Sequence, residues 1–496
     1  MDDADTLVTG IDKGSPTPLL NWRLVRNILW NFGGQIWGLS LALVTTPYIV
    51  HKLGTDAYGL LMTVGVITNY FWFMDLGLGQ ATVKYVAEHA ARQEWDEVNR
   101  IFWTSFLAYS VLGTLAALSI AAIAPLCVKH WFQIPLEFQP TALTVFYLSA
   151  IGFIAGMINN APASIPRAMQ RFDIANKVGI TAGTMQTLLT VSFLMLGYGL
   201  PAVVIGGVLI TVLSLVINTI VAKKLLPQLS LPAWHSATFR RLLRFGGFVT
   251  ISGVVGPVLV NLEKLILANR NSLSAVTYYT VPYNLASKVG IVSGSFSSAL
   301  FPAFSSLHGI GDAARVGRIV RRASQVVMLM VLPITIILLI YSDELLTVWM
   351  GSEFAHRSAA TLQILALAML VNVVAYSPMA AVQALGRPDL AAKFHMIELI
   401  THIPLTTVLV SLLGIEGAAL AWLIRVMMDT ALLWRATIKL TGLKWLETMT
   451  AMFSQGTLAM IACGIVLSVC KAVFRERLSA LAWIPMEGKL LTIVRY

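Results

Sequence analysis

The chain has 496 residues, 57% of them hydrophobic and only 12% charged, a balance that excludes a set of water-soluble domains and describes a protein solvated mainly by lipid. Its net charge of +11 comes from Lys and Arg placed in short breaks between apolar runs, the pattern of the positive-inside rule rather than of a nucleic-acid-binding surface. The three cysteines, Cys127, Cys463 and Cys470, have no CxxC or metal-ligand spacing and read as small hydrophobes.

Residues 1–22 read as a disordered polar tail, without the charged and apolar regions of a cleavable signal peptide. Apolar runs close to the ~20 residues that cross a ~30 Å hydrocarbon core follow at 28–50, 57–80, 102–125, 141–162, 174–197 and 201–222, then at 244–267, 275–300, 324–341, 359–381, 391–413 and 416–438. The segment 223–243 is a basic linker with Pro227, Pro232 and Trp234, suited to lie near anionic headgroups. A thirteenth candidate occupies 451–474, so the extension 441–496 carries one or two membrane segments.

Pieces of the first half return in the second at nearly one spacing. Phe32-Gly33-Gly34 recurs as Phe245-Gly246-Gly247, 213 residues on, and Val98-Asn99-Arg100-Ile101 as Val316-Gly317-Arg318-Ile319, 218 residues on. The Ala, Arg, Asp, Ala and Lys of the stretch 168–177 coincide with those of 384–393 at a spacing of 216. The expected fold is therefore an all-α polytopic membrane protein: two pseudo-repeated six-helix lobes, 23–222 and 244–440, around a central cavity, plus at least one extra C-terminal helix. Most Lys and Arg fall after even-numbered spans, against Lys52, Lys129, Lys264, Arg270 and Arg357 on the other side, which puts the N-terminus in the cytoplasm.

An ionised group at the bilayer centre costs at least ~2.5–3.5 kcal/mol, so those retained in spans face a polar cavity or one another. Lys288, mid-span with no acid near it in sequence, is the foremost cavity candidate. Arg425 and Asp429 share a helix face at i, i+4, either as an intrahelical ion pair or as a cation for an anionic substrate. Glu263 and Lys264, toward the outer end of the seventh span, are further candidates for lining the substrate cavity together with Lys288, Arg425 and Asp429, or could simply reach interfacial water. Asp75, beside Gly77 and Gly79, could cap exposed backbone or carry a proton, and Glu398 and His402, with His395 nearby, could form a buried pair or a proton relay. GxxxxGK[ST], HExxH and GxSxG are all missing, and the loops are too short for a soluble catalytic domain. No catalytic residue, cofactor or metal is expected, and transport energy would come from an ion gradient, the membrane potential or the substrate's own gradient.

The run Asn31-Phe32-Gly33-Gly34, Pro47-Tyr48 and Leu53-Gly54-Thr55-Asp56-Ala57-Tyr58-Gly59-Leu60, followed by Asp75-Leu76-Gly77-Leu78-Gly79, resembles the start of the polysaccharide biosynthesis family, the O-antigen flippases. The Gln170-Arg171-Phe172-Asp173 loop fits as well. The resemblance implies the multidrug/oligosaccharidyl-lipid/polysaccharide exporter superfamily, with two six-helix lobes, a central cavity and often two further helices. It implies an undecaprenyl-diphosphate-linked oligosaccharide as substrate, moved by alternating access across a bacterial cytoplasmic membrane for surface polysaccharide synthesis. Membrane lipids, a polysaccharide polymerase and glycosyltransferases are the implied partners of a monomer. Lys288 and Arg425 would serve the diphosphate. The alternatives are a cation-coupled multidrug exporter, a lipid II flippase, or a non-transporting scaffold of a glycan assembly complex.

Overall fold

The computed structural model describes residues 22–229, 233–445, 450 and 455–482, so most of the N-terminal tail, part of the linker and residues 483–496 lie outside the described residues. The described residues form helices and their connecting turns. They run as α1 (Trp22–Leu53), α2 (Thr55–Tyr70), α3 (Leu78–Ala91), α4 (Trp95–Leu126), α5 (Gln139–Ala168), α6 (Phe172–Met195), α7 (Leu200–Leu225), α8 (Ser236–Arg270), α9 (Leu273–Ser287), α10 (Gly290–Gly309), α11 (Ala313–Met350), α12 (Ser352–Ala384), α13 (Pro388–Thr441) and α14 (Gln455–Ala482).

Eight helical segments among the described residues are long and apolar enough to cross a membrane. The protein is a multi-pass membrane protein. One of the eight, α13, runs 54 residues, far beyond the ~20 one crossing needs, and kinks at Gly414 (φ 60°, ψ −127°), a backbone conformation that side chains disfavour. It therefore holds the predicted eleventh and twelfth spans as two arms. Gly417 closes the bend, since a Cβ there would lie 1.9 Å from the Leu409 carbonyl oxygen.

Two predicted spans are not single helices. The second, 57–80, is α2, a 3-10 turn over Phe71–Asp75, a left-handed Leu76 (φ 50°) and Gly77 (φ 68°), and only then α3. The Asp-Leu-Gly-Leu-Gly motif is thus a helix break. The eighth, 275–300, divides into α9 and α10 at Lys288–Val289, whose backbone N–H groups bond three residues back, to Leu285 (3.3 Å) and Ala286 (3.2 Å).

The sequence echoes have matching backbone conformations. Left-handed residues pair off across the chain as Gln93 (φ 58°) with Gly311 (φ 77°), Gln170 (φ 55°) with Gly386 (φ 75°), and Gly197 (φ 83°) with Gly414 (φ 60°). Their spacings are 218, 216 and 217 residues. Immediately after the second pair, Arg171 grips Asp173 through two hydrogen bonds of 3.1 Å, and Arg387 grips Asp389 through bonds of 2.9 and 3.0 Å. The same bidentate clasp opens α6 and α13.

Helices α4, α5 and α7 pack on one another in the first half of the chain, and α11, α12 and α13 in the second. Buried Tyr109, Phe146 and Met157 fill the former, Leu362, Trp422 and Trp434 the latter. The halves touch at both ends of α2. At its start, Gly59 lies against the Leu273 carbonyl of α9, and Thr277 Oγ1 donates to the Thr55 carbonyl at 2.6 Å. Past its far end, Gly77 and Gly246 of α8 meet backbone to backbone, a Cβ on Gly77 falling 2.4 Å from the Gly246 oxygen. The eighteen residues from Gly59 to Gly77, helical over most of that stretch, separate the two contacts by roughly 27 Å, close to the depth of a hydrocarbon core.

Candidate transport site

Among the described residues, four side chains that carry a full charge are buried: Glu263, Lys264, Glu398 and Arg425. All belong to the second half, where α8 meets the two arms of α13. Glu263 is fully buried and its Oε1 lies 2.8 Å from His402 Nε2. Lys264 donates to Asn261 Oδ1 at 2.8 Å and stands 5.0 Å from the centre of the Tyr283 ring. The expectation that either residue reaches interfacial water is corrected here, because α13 covers this face of α8 and takes Glu263 into its own hydrogen bonding.

Arg425 and Glu398 come from opposite arms of α13. Arg425 Nη1 donates to Glu398 Oε2 at 3.0 Å, and the guanidinium stands 5.9 Å from the Trp422 ring. The pairings suggested by helical spacing, Arg425 with Asp429 and Glu398 with His402, give way to pairings across the bend. The half-buried Asp429 instead brings its carboxyl within hydrogen-bonding reach of Glu398, and His395, Glu398 and Asp429 present atoms within 4.8 Å of one another. That trio has metal-like spacing, but the Arg425 guanidinium already supplies the positive charge on Glu398. Glu263 Oε2, Glu398 Oε1, Asp429 Oδ1 and Arg425 Nε are buried without a hydrogen-bond partner among the described residues, so the network keeps room for further protons or polar contacts.

The aromatic wall around this network was not singled out from sequence. Tyr279 and Tyr283 stack at 5.9 Å, and Tyr283 meets Trp422 edge to face at 5.6 Å. Their i, i+4 spacing on one helix was the available signal.

Lys288 is placed differently. It is exposed, caps the C-terminal end of α9 where carbonyls lack helical partners, and makes no salt bridge among the described residues. Asp75 sits in the α2–α3 break, where its carboxylate accepts from the Tyr109 hydroxyl and from the backbone N–H groups of Gly77 and Gly79. Those bonds hold the left-handed turn in shape, and with it the Gly77–Gly246 contact. Across the same end, Arg241 of α8 reaches Glu97 of α4 at 3.4 Å and lies over the Tyr85 ring of α3. On α14, Lys471 is satisfied by Glu344 at 2.7 Å and by the Ile340 carbonyl, next to Tyr341 (φ −111°, ψ 19°), where α11 kinks.

The sequence profile of a family described as polysaccharide biosynthesis protein matches residues 53–359, more than half of the chain. The chain belongs to the polysaccharide biosynthesis family. The match begins at Leu53, at the Leu-Gly-Thr-Asp-Ala-Tyr-Gly stretch, and runs through α11 into α12. A Shigella flexneri protein whose name assigns it to O-antigen transport is 26% identical over 412 residues, covering 83% of this chain and 96% of that one. AglR of Haloferax volcanii, named as a flippase, is 22% identical over 84% of each chain. The fold is that of solved multidrug/oligosaccharidyl-lipid/polysaccharide exporter structures. An inward-facing multidrug resistance transporter of that superfamily superposes with a TM-score of 0.67 at 13% identity, covering 91% of this chain and 98% of that one. The lipid II flippase MurJ in an inward closed conformation gives 0.64 at 13% identity, covering 92% and 99%. This member of the polysaccharide biosynthesis family thus shares its fold with membrane exporters and flippases.

Proposed function

We propose that this protein is a flippase that moves a polyprenyl-diphosphate-linked oligosaccharide across a bacterial cytoplasmic membrane, for surface polysaccharide synthesis, by alternating access of two six-helix lobes. The paired left-handed positions and the twin Arg–Asp clasps support a repeated architecture, and the contacts at the two ends of α2 are natural places for the lobes to part. With the N-terminus in the cytoplasm, Gly59–Leu273 closes the outer end and Gly77–Gly246 the inner end.

Lys288 carries the reading. A diphosphate headgroup needs a cation that is accessible and uncommitted, and an ammonium at a helix break near mid-span supplies one. Arg425 takes a second role, since its charge is engaged by Glu398 within the second half. The buried network sets Lys264 and Arg425 against Glu263, Glu398 and Asp429, and one further proton, held on a carboxyl or on His395 or His402, would neutralise it. Proton coupling through this network, with Asp75 holding the inner turn, completes the mechanism. Glu263 and Glu398 are buried and paired, so they are engaged within the protein and not open to a cationic drug.

Purified protein in proteoliposomes loaded with a fluorescent undecaprenyl-diphosphate oligosaccharide tests the function. Wild-type protein is expected to move the glycan between leaflets, and Lys288→Ala to lose most of that rate with unchanged thermal unfolding. A Lys288→Ala variant with wild-type transport would remove the assignment.

A further inference from the structure

A cavity away from the charged network lies in the first half between α1 and α6. It encloses about 480 Å³ and runs along α1 from Gly34 to Ile49, about 22 Å at 1.5 Å per residue. No Asp, Glu, Lys, Arg or His lines it. Its polar groups are Thr45 and Thr46 of α1 and Thr184, Gln186, Thr187 and Thr190 of α6, with Trp37 half exposed at their side.

Two observations separate this cleft from an ordinary helix seam. Glycines spaced four apart, Gly34 and Gly38 on α1 and Gly179 and Gly183 on α6, would normally let two helices touch. Here a Cβ at Gly38, Gly179 or Gly183 would meet nothing within 4 Å, so these glycines leave volume open instead of closing a contact. The hydroxyls are also committed in one direction. Thr45, Thr184 and Thr187 each donate to a carbonyl four residues back on their own helix, at 2.8, 2.8 and 3.0 Å. Their remaining hydrogen-bonding capacity is acceptor lone pairs. The Trp37 indole N–H donates to Thr184 Oγ1 at 2.9 Å and fixes the ring beside them.

Leu41, Ala42, Ile49 and Ile180 line the rest of the cleft and Gln186 adds an amide that can donate, so the wall is neutral and amphipathic, matched to a ligand with hydroxyl edges, apolar C–H faces and no charge. A diphosphate would find no cation in it, and a polyprenyl chain would leave the threonine hydroxyls and the Gln186 amide without polar partners. We infer that the α1–α6 cleft holds the sugar chain of the transported lipid, apart from its charged headgroup. This inference rests on the flippase reading.

Binding to the full-length protein in nanodiscs tests it with two probes, undecaprenyl diphosphate bearing a neutral trisaccharide and bare undecaprenyl diphosphate. Gly183→Leu, whose Cβ enters open space in the cleft, and Trp37→Ala are each expected to weaken the trisaccharide probe at least about fivefold, the scale of one lost aromatic contact. Binding of the bare probe stays unchanged. If Trp37→Ala does not fold, Gly183→Leu alone decides. Equal weakening of both probes, or of neither, overturns the inference and leaves the flippase reading standing. Wild-type protein that binds neither probe overturns the flippase reading and this inference with it.

Discussion

Gly59→Ala tests the outer contact in its simplest form. A Cβ at this position falls 1.8 Å from the Leu273 carbonyl oxygen and 2.6 Å from its carbon, where ordinary contacts begin at 3.4 Å. Both atoms are backbone, so α2 and α9 must separate by more than an ångström. Overpacking of this kind costs ~1–3 kcal/mol, and separation also breaks the Thr277–Thr55 hydrogen bond, worth ~1 kcal/mol. Gly59 lies inside α2 with ordinary helical backbone, so alanine adds no strain and gains about 1 kcal/mol of helix propensity in open and closed states alike. The ~2–4 kcal/mol penalty therefore falls on the closed outer end alone, and shifts its equilibrium about thirtyfold or more toward opening.

Spin labels at Lys52 and Arg357, exposed and in opposite halves, report that end by pulsed electron resonance in a cysteine-free background. Gly59→Ala should populate a longer Lys52–Arg357 distance. Gly77→Ala, whose Cβ would meet the Gly246 oxygen at 2.4 Å, should lengthen the distance between labels at Arg92 and Arg240 at the inner end and leave the outer pair short. Folded variants whose distance distributions match wild type, or which open the same end, would refute the two-contact account.

Two further predictions concern stability. Glu398→Leu removes the acceptor that Arg425 Nη1 uses and should destabilise the detergent-solubilised protein by ~1–3 kcal/mol in chemical denaturation, whereas Glu398→Leu combined with Arg425→Met should recover most of that loss; a double variant as unstable as the single one argues against the pair. Gln170 holds the left-handed conformation that Gly386 takes in the matching loop, so Gln170→Gly should stabilise by about 1 kcal/mol and Gly386→Ala destabilise by a similar amount; equal and opposite shifts in the denaturation midpoint would check the correspondence of the two loops.

Much of the helical order was legible in the sequence, because apolar runs of membrane length leave little choice of structure. The breaks were harder to see. Leu76 is left-handed without being glycine, and Lys288 ends α9 inside a continuous apolar pattern, so hydropathy alone draws one span through each. The charged network was legible as a set of residues and not as a set of pairs. Arg425 and Asp429 are four apart in sequence, yet Glu398, 27 residues away, takes the guanidinium because Gly414 folds α13 back on itself. Glu263 and His402, 139 residues apart, are joined only by the packing of α8 on α13. The α1–α6 cleft left only small-residue spacing in the sequence, a signal shared with any tight helix pair; what distinguishes it is the empty space around Gly38 and Gly183.

The two halves place different chemistry on matching backbone. In the first half, buried polar contacts between helices are neutral: Thr82 with Ser105 at 2.8 Å, and Asn218 donating to Asn159 at 2.9 Å. In the second, neutral contacts such as Ser358 with the Tyr278 carbonyl are joined by ionic ones, and among the described residues the buried full charges are all there. Desolvating charges costs several kcal/mol per ion, so a fold that needed only helix packing would gain by keeping both halves neutral. An amphiphile with an uncharged glycan and a diphosphate sets two demands that one surface cannot meet together, hydroxyl-accepting walls and a source of positive charge. Dividing them between halves lets each be built without compromising the other. On the proposed flippase reading, rocking of one half against the other would act on a headgroup whose parts are held on opposite sides.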